Sequence, residues 1–284
     1  MGGAVRRKEV PLKSLRLVPF ALAVASLSIP LVLPRLGHAD PPDWKPILDR
    51  AIQAQGGRGL GTRIRAIDGR FEVISNEDGH RFEAKVRQSY RRTEDGKEQF
   101  RSEIRERGAG EWAVKGFDGK DYWLRDSKRA LRLRGREYRQ DIRQIQQDIE
   151  YLRNTIDFFF LENLTGEGVR FRRLAPSDGE EARESVLERT AEGQRTMRLH
   201  FDAKDHRLTR VVLLPWDDDP RTVTFRMSGR CGSVYLGDER LEELFVPRYI
   251  KVFYDDETTP STDSFVNEIR INGDLPEDLF RLEE

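Results

Sequence analysis

Apolar and polar residues alternate with a period of two along much of the chain. The clearest run is Arg81-Phe82-Glu83-Ala84-Lys85-Val86-Arg87-Gln88-Ser89-Tyr90, which sets Phe82, Ala84, Val86 and Tyr90 on one side and Arg81, Glu83, Lys85 and Arg87 on the other. Similar runs recur around 71–75, 99–106, 111–117, 121–125, 129–134, 169–174, 184–190, 195–201, 208–214, 221–227, 247–254 and 264–272. Many are separated by turn-forming residues: Asn76-Glu77-Asp78-Gly79, Asp95-Gly96, Asp118-Gly119, Asp178-Gly179, Glu192-Gly193 and Asn272-Gly273. The pattern predicts an antiparallel meander with one face in water.

Two stretches depart from it. Trp44, Ile47, Leu48, Ala51, Ile52 and Ala54 share one helical face, with Asp43 placed to cap the start and Gly56-Gly57 to end the helix. In mid-chain, Ile142, Ile145, Ile149, Leu152, Ile156 and Phe159 step by three and four across 138–164, with Phe158-Phe159-Phe160-Leu161 widening the stripe. That amphipathic helix needs an apolar surface, and the dry face of the sheet supplies one. The fold class is therefore α+β. No low-complexity linker or long repeat divides residues 40–284, which read as one domain.

Residues 1–39 have another character. Arg6, Arg7, Lys8, Lys13 and Arg16 precede an uncharged run from Leu17 to Pro34, and Gly37-His38-Ala39 follows. This is the pattern of an export signal cleaved after Ala39. A retained membrane anchor is the alternative, weakened by Pro19, Pro30 and Pro34. No Cys follows the apolar run to accept a lipid anchor, and Lys8-Glu9-Val10 does not continue Arg6-Arg7 into a twin-arginine motif.

Export alters the charge balance. The full chain has 50 basic and 50 acidic residues, but residues 40–284 keep 44 and 49, a net charge of −5. An acidic surface is a poor match for nucleic acid or other polyanions. With 37% hydrophobic and 35% charged residues, the chain can bury a core under a strongly ionic surface.

Catalytic chemistry is sparse. His80, His200 and His206 have no zinc-binding spacing, and Ser233 lies in no hydrolase motif. Asp217-Asp218-Asp219 lacks the remaining positions of a calcium loop, and Cys231 is single. Gly56, Gly57, Gly59 and Gly61 follow a helix, not a strand, and read as a helix stop, not a phosphate loop. Asn163-Leu164-Thr165 matches a glycosylation sequon, which matters only in a eukaryotic secretory pathway. No catalytic residue, metal ligand or cofactor is nominated. An enzyme remains an alternative, through an unforeseen cluster of these histidines with carboxylates.

Phe82, Tyr90, Phe100, Trp112, Phe117, Tyr122 and Trp123 fall on consecutive predicted strands. Such rings either pack a filled core or line a partly empty, curved sheet.

Three stretches carry a resemblance: 47–57 (Ile-Leu-Asp-Arg-Ala-Ile-Gln-Ala-Gln-Gly-Gly), 117–123 (Phe-Asp-Gly-Lys-Asp-Tyr-Trp) and 266–280, from Val266-Asn267-Glu268 to Asp278-Leu279-Phe280. With them the chain resembles the outer-membrane lipoprotein carrier and sorting superfamily (LolA/LolB-like). The resemblance implies a periplasmic protein whose curved sheet forms an incomplete barrel, with the two helices over its concave face. It also implies an apolar cavity for acyl chains of a lipid or lipoprotein, and an early arginine that tethers the covering helices, for which Arg65, Arg70 and Arg81 compete. The middle helix is longer and more charged than a dedicated carrier would need.

The resulting expectation is a monomeric, non-enzymatic periplasmic binding protein. Its site would be lined by Phe82, Tyr90, Trp112, Trp123, Ile149, Ile156 and Phe159. The alternative is an envelope sensor or protein-interaction domain that keeps the fold, fills the core and uses the charged face.

Overall fold

The computed structural model describes residues 44–282 apart from 57–58, 78–79, 109–111, 176–182 and 217–219, and gives only the backbone of Thr62, Glu77 and His80. The signal segment, the Asp43 cap, Gly57 and the turns at Asp78-Gly79, Asp178-Gly179 and Asp217-Asp218-Asp219 lie outside the described residues.

Helix α1 (Trp44–Gln55) opens the described chain. A meander follows: β1 (Ala66–Glu77), β2 (His80–Arg92), β3 (Glu98–Glu106), β4 (Trp112–Phe117), β5 (Tyr122–Asp126) and β6 (Ala130–Leu133). Helix α2 (Arg139–Phe159) then crosses over, leading to β7 (Arg170–Leu174), β8 (Glu184–Thr190), β9 (Met197–Asp202), β10 (Leu208–Leu213) and β11 (Val223–Ser228). The last strands are β12 (Val234–Leu236), β13 (Glu239–Arg240), β14 (Tyr249–Tyr254) and β15 (Thr262–Ile271).

All belong to one sheet, in the order β6-β5-β4-β3-β2-β1-β15-β14-β11-β10-β9-β8-β7. The decisive joint is β1 on β15, antiparallel from Ile67↔Ile271 to Ser75↔Thr262, which brings opposite ends of the chain together. The end strands β6 and β7 do not pair, so the barrel stays incomplete. β12 and β13 stand off the path, and β12 pairs parallel to β15, an exception to the antiparallel expectation. Their runs of three and two residues are too short for periodicity to reveal.

Strand alternation gives the sheet two unlike faces. Phe71, Val86 and Ile104 lie opposite one another on the concave side, with Phe225 and Val252 further along it. These join the main core with the α2 stripe of Ile145, Ile149, Leu152, Ile156 and Phe159. α1 enters the same core, where Trp44 stacks on Phe171 at 5.1 Å and the Gln55 side chain donates to the Phe158 carbonyl at 3.0 Å. Gly56, at φ 71°, ends α1 where an added Cβ would fall 1.9 Å from the Glu243 carbonyl oxygen. α2 ends at Phe159, short of the predicted 164, because Phe160 leaves helical geometry (φ −120°, ψ 76°) and a 3-10 turn, Leu161–Leu164, takes over.

The convex side has a small second core of Ala66, Leu275 and Phe280. The C-terminal 3-10 turn Glu277–Phe280 delivers it, and the Phe280 carbonyl accepts a hydrogen bond from Trp123 Nε1 at 2.9 Å.

Candidate functional site

A cavity of about 80 Å³ lies between α2 and the middle of the concave face. Its apolar wall is formed by Phe71 and Val73 of β1, Val86 of β2, Ile250 and Val252 of β14 and Leu152 of α2. β1 and β14 lie far apart in sequence, and β15, paired with both, brings them to one site. Polar groups punctuate this wall, among them Gln88 of β2, Gln147, Asp148 and Thr155 of α2, and Thr262 and Ser264 of β15. The Thr262 hydroxyl is buried without a hydrogen-bond partner.

The space is modest. An apolar cavity of about 150 Å³ can hold a benzene ring, so this one accommodates the last few carbons of a chain unless α2 moves. The rest of the concave core is filled, with Leu187, Leu199, Phe201 and Val211 buried to 1% exposure or less.

Several polar links fasten α2 to the sheet, among them a hydrogen bond between Tyr151 of α2 and Ser264 of β15. Lys115 Nζ of β4 lies 2.5 Å from Asp148 Oδ2, both side chains being 9% exposed or less. Arg153 Nη2 donates to Glu98 Oε2 at 3.0 Å, while Glu98 Oε1 accepts from the Tyr90 hydroxyl at 2.8 Å. Burial, with the Glu98 hydrogen bond, pushes the Tyr90 phenol up to about 12. Gln146 Nε2 donates to the Tyr122 hydroxyl at 3.2 Å.

None of the three arginines suggested as a tether reaches α2. Arg70 faces Glu268 and Arg81 faces Glu83, both on the convex side, and Arg65 is exposed. Lys115 makes the contact instead. Nothing in the sequence marked it, because a lysine within an alternating strand reads as a solvent-facing residue until the register is known.

The other expected site residues separate into three groups. Ile149, Ile156 and Phe159 are buried in the main core beside the cavity without lining it. Tyr90 and the half-buried Phe82 also face the concave side, Tyr90 in the core and Phe82 packed against it, and neither lines the cavity. Trp112 and Trp123 point the other way. Lys115↔Leu124 and Gly116↔Trp123 are successive pairs, so Trp123 falls on the face opposite Lys115. There it is 1% exposed, lies over Gly116, where an added Cβ would be 2.4 Å from its ring, and sits beneath Arg101. Trp112 lies under Arg125 on the same side.

The sequence matches no family model and no curated protein. Solved structures similar in shape include an outer membrane lipoprotein-sorting protein domain from Vibrio parahaemolyticus, at 13% identity and TM-score 0.45 over 82% of this chain and 97% of that one. A LolA superfamily protein from Nitrosomonas europaea is similar at 13% identity and TM-score 0.45, over 84% and 96%. A DUF1329 family protein from Desulfovibrio piger is similar at 12% and 0.45, over 85% and 98%.

Groups that could suggest catalysis have structural partners. His200 Nδ1 lies 3.0 Å from Glu184 Oε2, and Arg210 Nη2 lies 2.8 Å from the same oxygen. Burial alone would raise the Glu184 pKa; Arg210 and His200 outweigh it and hold the carboxyl below its usual range. The glycine loop after α1 binds a carboxylate of its own chain, since Gly59 N and Gly61 N donate to Glu162 at 2.8 and 2.7 Å. Cys231 is buried, and burial pushes its thiol up, away from the reactive thiolate. Among the described residues no three His, Cys, Asp or Glu side chains group to hold a metal ion.

On the convex side a groove of about 390 Å³ runs past Ile74, Glu83, Lys85 and Phe265. Its rim includes Tyr249, 39% exposed, whose ring meets Phe265 edge-on at 5.0 Å.

Proposed function

We propose that this chain is an exported, non-enzymatic binding module that takes the end of a hydrocarbon chain, from a lipid or lipoprotein, between α2 and the concave face. The observation that supports this reading is the apolar cavity under the middle of α2, bounded by Phe71, Val86, Leu152 and Val252. Each buried methylene contributes about 0.8 kcal/mol. The few carbons that fit give weak retention, and a longer stretch requires α2 to move outward from the sheet. The export pattern of residues 1–39 supports a periplasmic location, where hydrocarbon chains in transit need shelter from water.

Displacement of a solvatochromic fatty-acid probe, with native mass spectrometry of the protein from its expression host, tests the reading. Val86→Phe, which fills the cavity, should weaken probe binding by at least about tenfold while leaving the fold intact by circular dichroism. Unchanged binding by a folded Val86→Phe variant would overturn the site. An apo mass under conditions that retain a control ligand would overturn the function.

A second reading draws on the convex groove. Tyr249, exposed beside Phe265, is the kind of aromatic anchor that protein interfaces use, so the same fold could bind an envelope protein. Capture of one envelope protein, lost in Tyr249→Ala and indifferent to lipid, would favour that reading over the first.

A further inference from the structure

Lys115 stands where an apolar side chain would ordinarily pack. It occupies the concave side of β4, opposite Ser102 of β3, and Ser102 is opposite Gln88 of β2. Three polar side chains thus form a row across adjacent strands of the dry face, exposed by 7% (Gln88), 0% (Ser102) and 7% (Lys115). The Ser102 hydroxyl has no hydrogen-bond partner. Gln88 borders the cavity, as does Asp148, the carboxylate that neutralises Lys115. Buried polar groups without partners are uncommon in folded proteins and call for an explanation.

The two members of the ion pair belong to different bodies. Lys115 is fixed in the sheet, whereas Asp148 is carried by α2. If α2 moves outward to admit more of a chain, Asp148 leaves with it and an ammonium remains in an apolar floor. Removing one partner of a buried pair is strongly unfavourable because the remaining charge is uncompensated. A neutral guest leaves that cost in place. A guest with an anionic head removes it, since the head takes the position of the Asp148 carboxylate, and Gln88 and Ser102 can donate hydrogen bonds to the same group.

We propose that the ligand of the α2 site is an anionic amphiphile, a hydrocarbon chain whose carboxylate or phosphate head replaces Asp148 on Lys115. This deepens the hydrocarbon-chain reading above and rests on it. Opening of the helix is thereby coupled to the charge of the guest.

The test compares hexadecanoate, hexadecyl phosphate and hexadecanol, which share a tail and differ in the head, by probe displacement on the folded chain below their aggregation concentrations. Both anions should bind at least about tenfold more tightly than the alcohol, and the tighter of the two identifies the head as carboxylate or phosphate. Lys115→Met should abolish the preference, the anions losing at least about tenfold relative to the alcohol, and hexadecanol should bind no more weakly than to wild type, because opening α2 no longer leaves an ammonium uncompensated. Asp148→Asn removes the internal competitor and should tighten anion binding, which keeps the proposal falsifiable if Lys115→Met fails to fold. Equal binding of alcohol and anions by wild type would overturn the anionic head and leave the hydrocarbon site standing. Anion affinity unchanged in Asp148→Asn would also overturn the head. Binding of none of the three would overturn the site itself.

Discussion

The two faces of the sheet use the same strands and nearly the same number of side chains, yet charge has opposite consequences on them. On the convex face, most ionic groups meet water, as in Arg105 with Glu103 at 2.6 Å or Arg81 with Glu83 at 2.8 Å, with the arginines 71% and 64% exposed. Pairs of this kind contribute little, because water already solvates both partners and ordering long side chains costs entropy. On the concave face, Lys115 and Asp148 are enclosed in an apolar layer, so each depends on the other. A high content of charge thus describes mainly the outer face of this molecule, while one of the links between α2 and the sheet is an ion pair enclosed in the core.

The sharpest way to break the contrast is Lys115→Met. It should destabilise the chain by about 3–5 kcal/mol by stranding Asp148, and Lys115→Met/Asp148→Leu should recover most of that loss. Urea unfolding of both variants measures it, and an equally damaging double variant would mean that the pair was not the cause. Next comes Leu199→Ala, in the filled part of the concave core with 0% exposure, expected to cost about 2–5 kcal/mol. Thermal or denaturant melts check it, and a loss below about 1 kcal/mol would show that the core is looser than its burial indicates. Arg105→Ala, on the convex face, should change stability by no more than about 0.5 kcal/mol in the same melts.

The smallest effects concern pH and act at opposite ends of the scale. Tyr90 has its folded pKa raised, to about 12, so its contribution is intact below the ordinary tyrosine value and is lost as pH rises from there toward about 12. Ultraviolet titration of wild type against Tyr90→Phe should show one late-ionising phenol disappear. Glu184 has its folded pKa lowered, so its contribution is present above the ordinary glutamate value and is lost as acid takes the pH down through the folded one. Melting curves of Glu184→Gln should be flatter than those of wild type in that acid range, and parallel curves would remove Glu184 from the account.

Much of the fold was legible because periodicity is a local property. The run at 81–90 became β2, the stripe from Ile142 to Phe159 became α2, and the Trp44–Ala54 pattern became α1. The site was less legible for a specific reason. The aromatic series on β2 to β5 drew attention to one wing of the sheet, whereas the cavity lies where β15 joins β1 to β14. Val73, Ile250 and Val252 belong to runs that alternation identified, but their meeting depends on a pairing between chain ends. Trp112 and Trp123 were assigned to the wrong side because adjacent residues of a strand point to opposite faces, and aromatic character alone does not state which.

The sequence alone determined the longer elements, the separation of a dry from a wet face and the export pattern at the N-terminus, since each depends on spacing or composition within a short stretch. Tertiary structure decided which strands meet, which side each aromatic ring takes, and that a lysine in an ordinary-looking strand neutralises a helix carboxylate in the core. Those outcomes depend on register and on contacts between residues distant in the chain, where a shift of one position exchanges inside for outside.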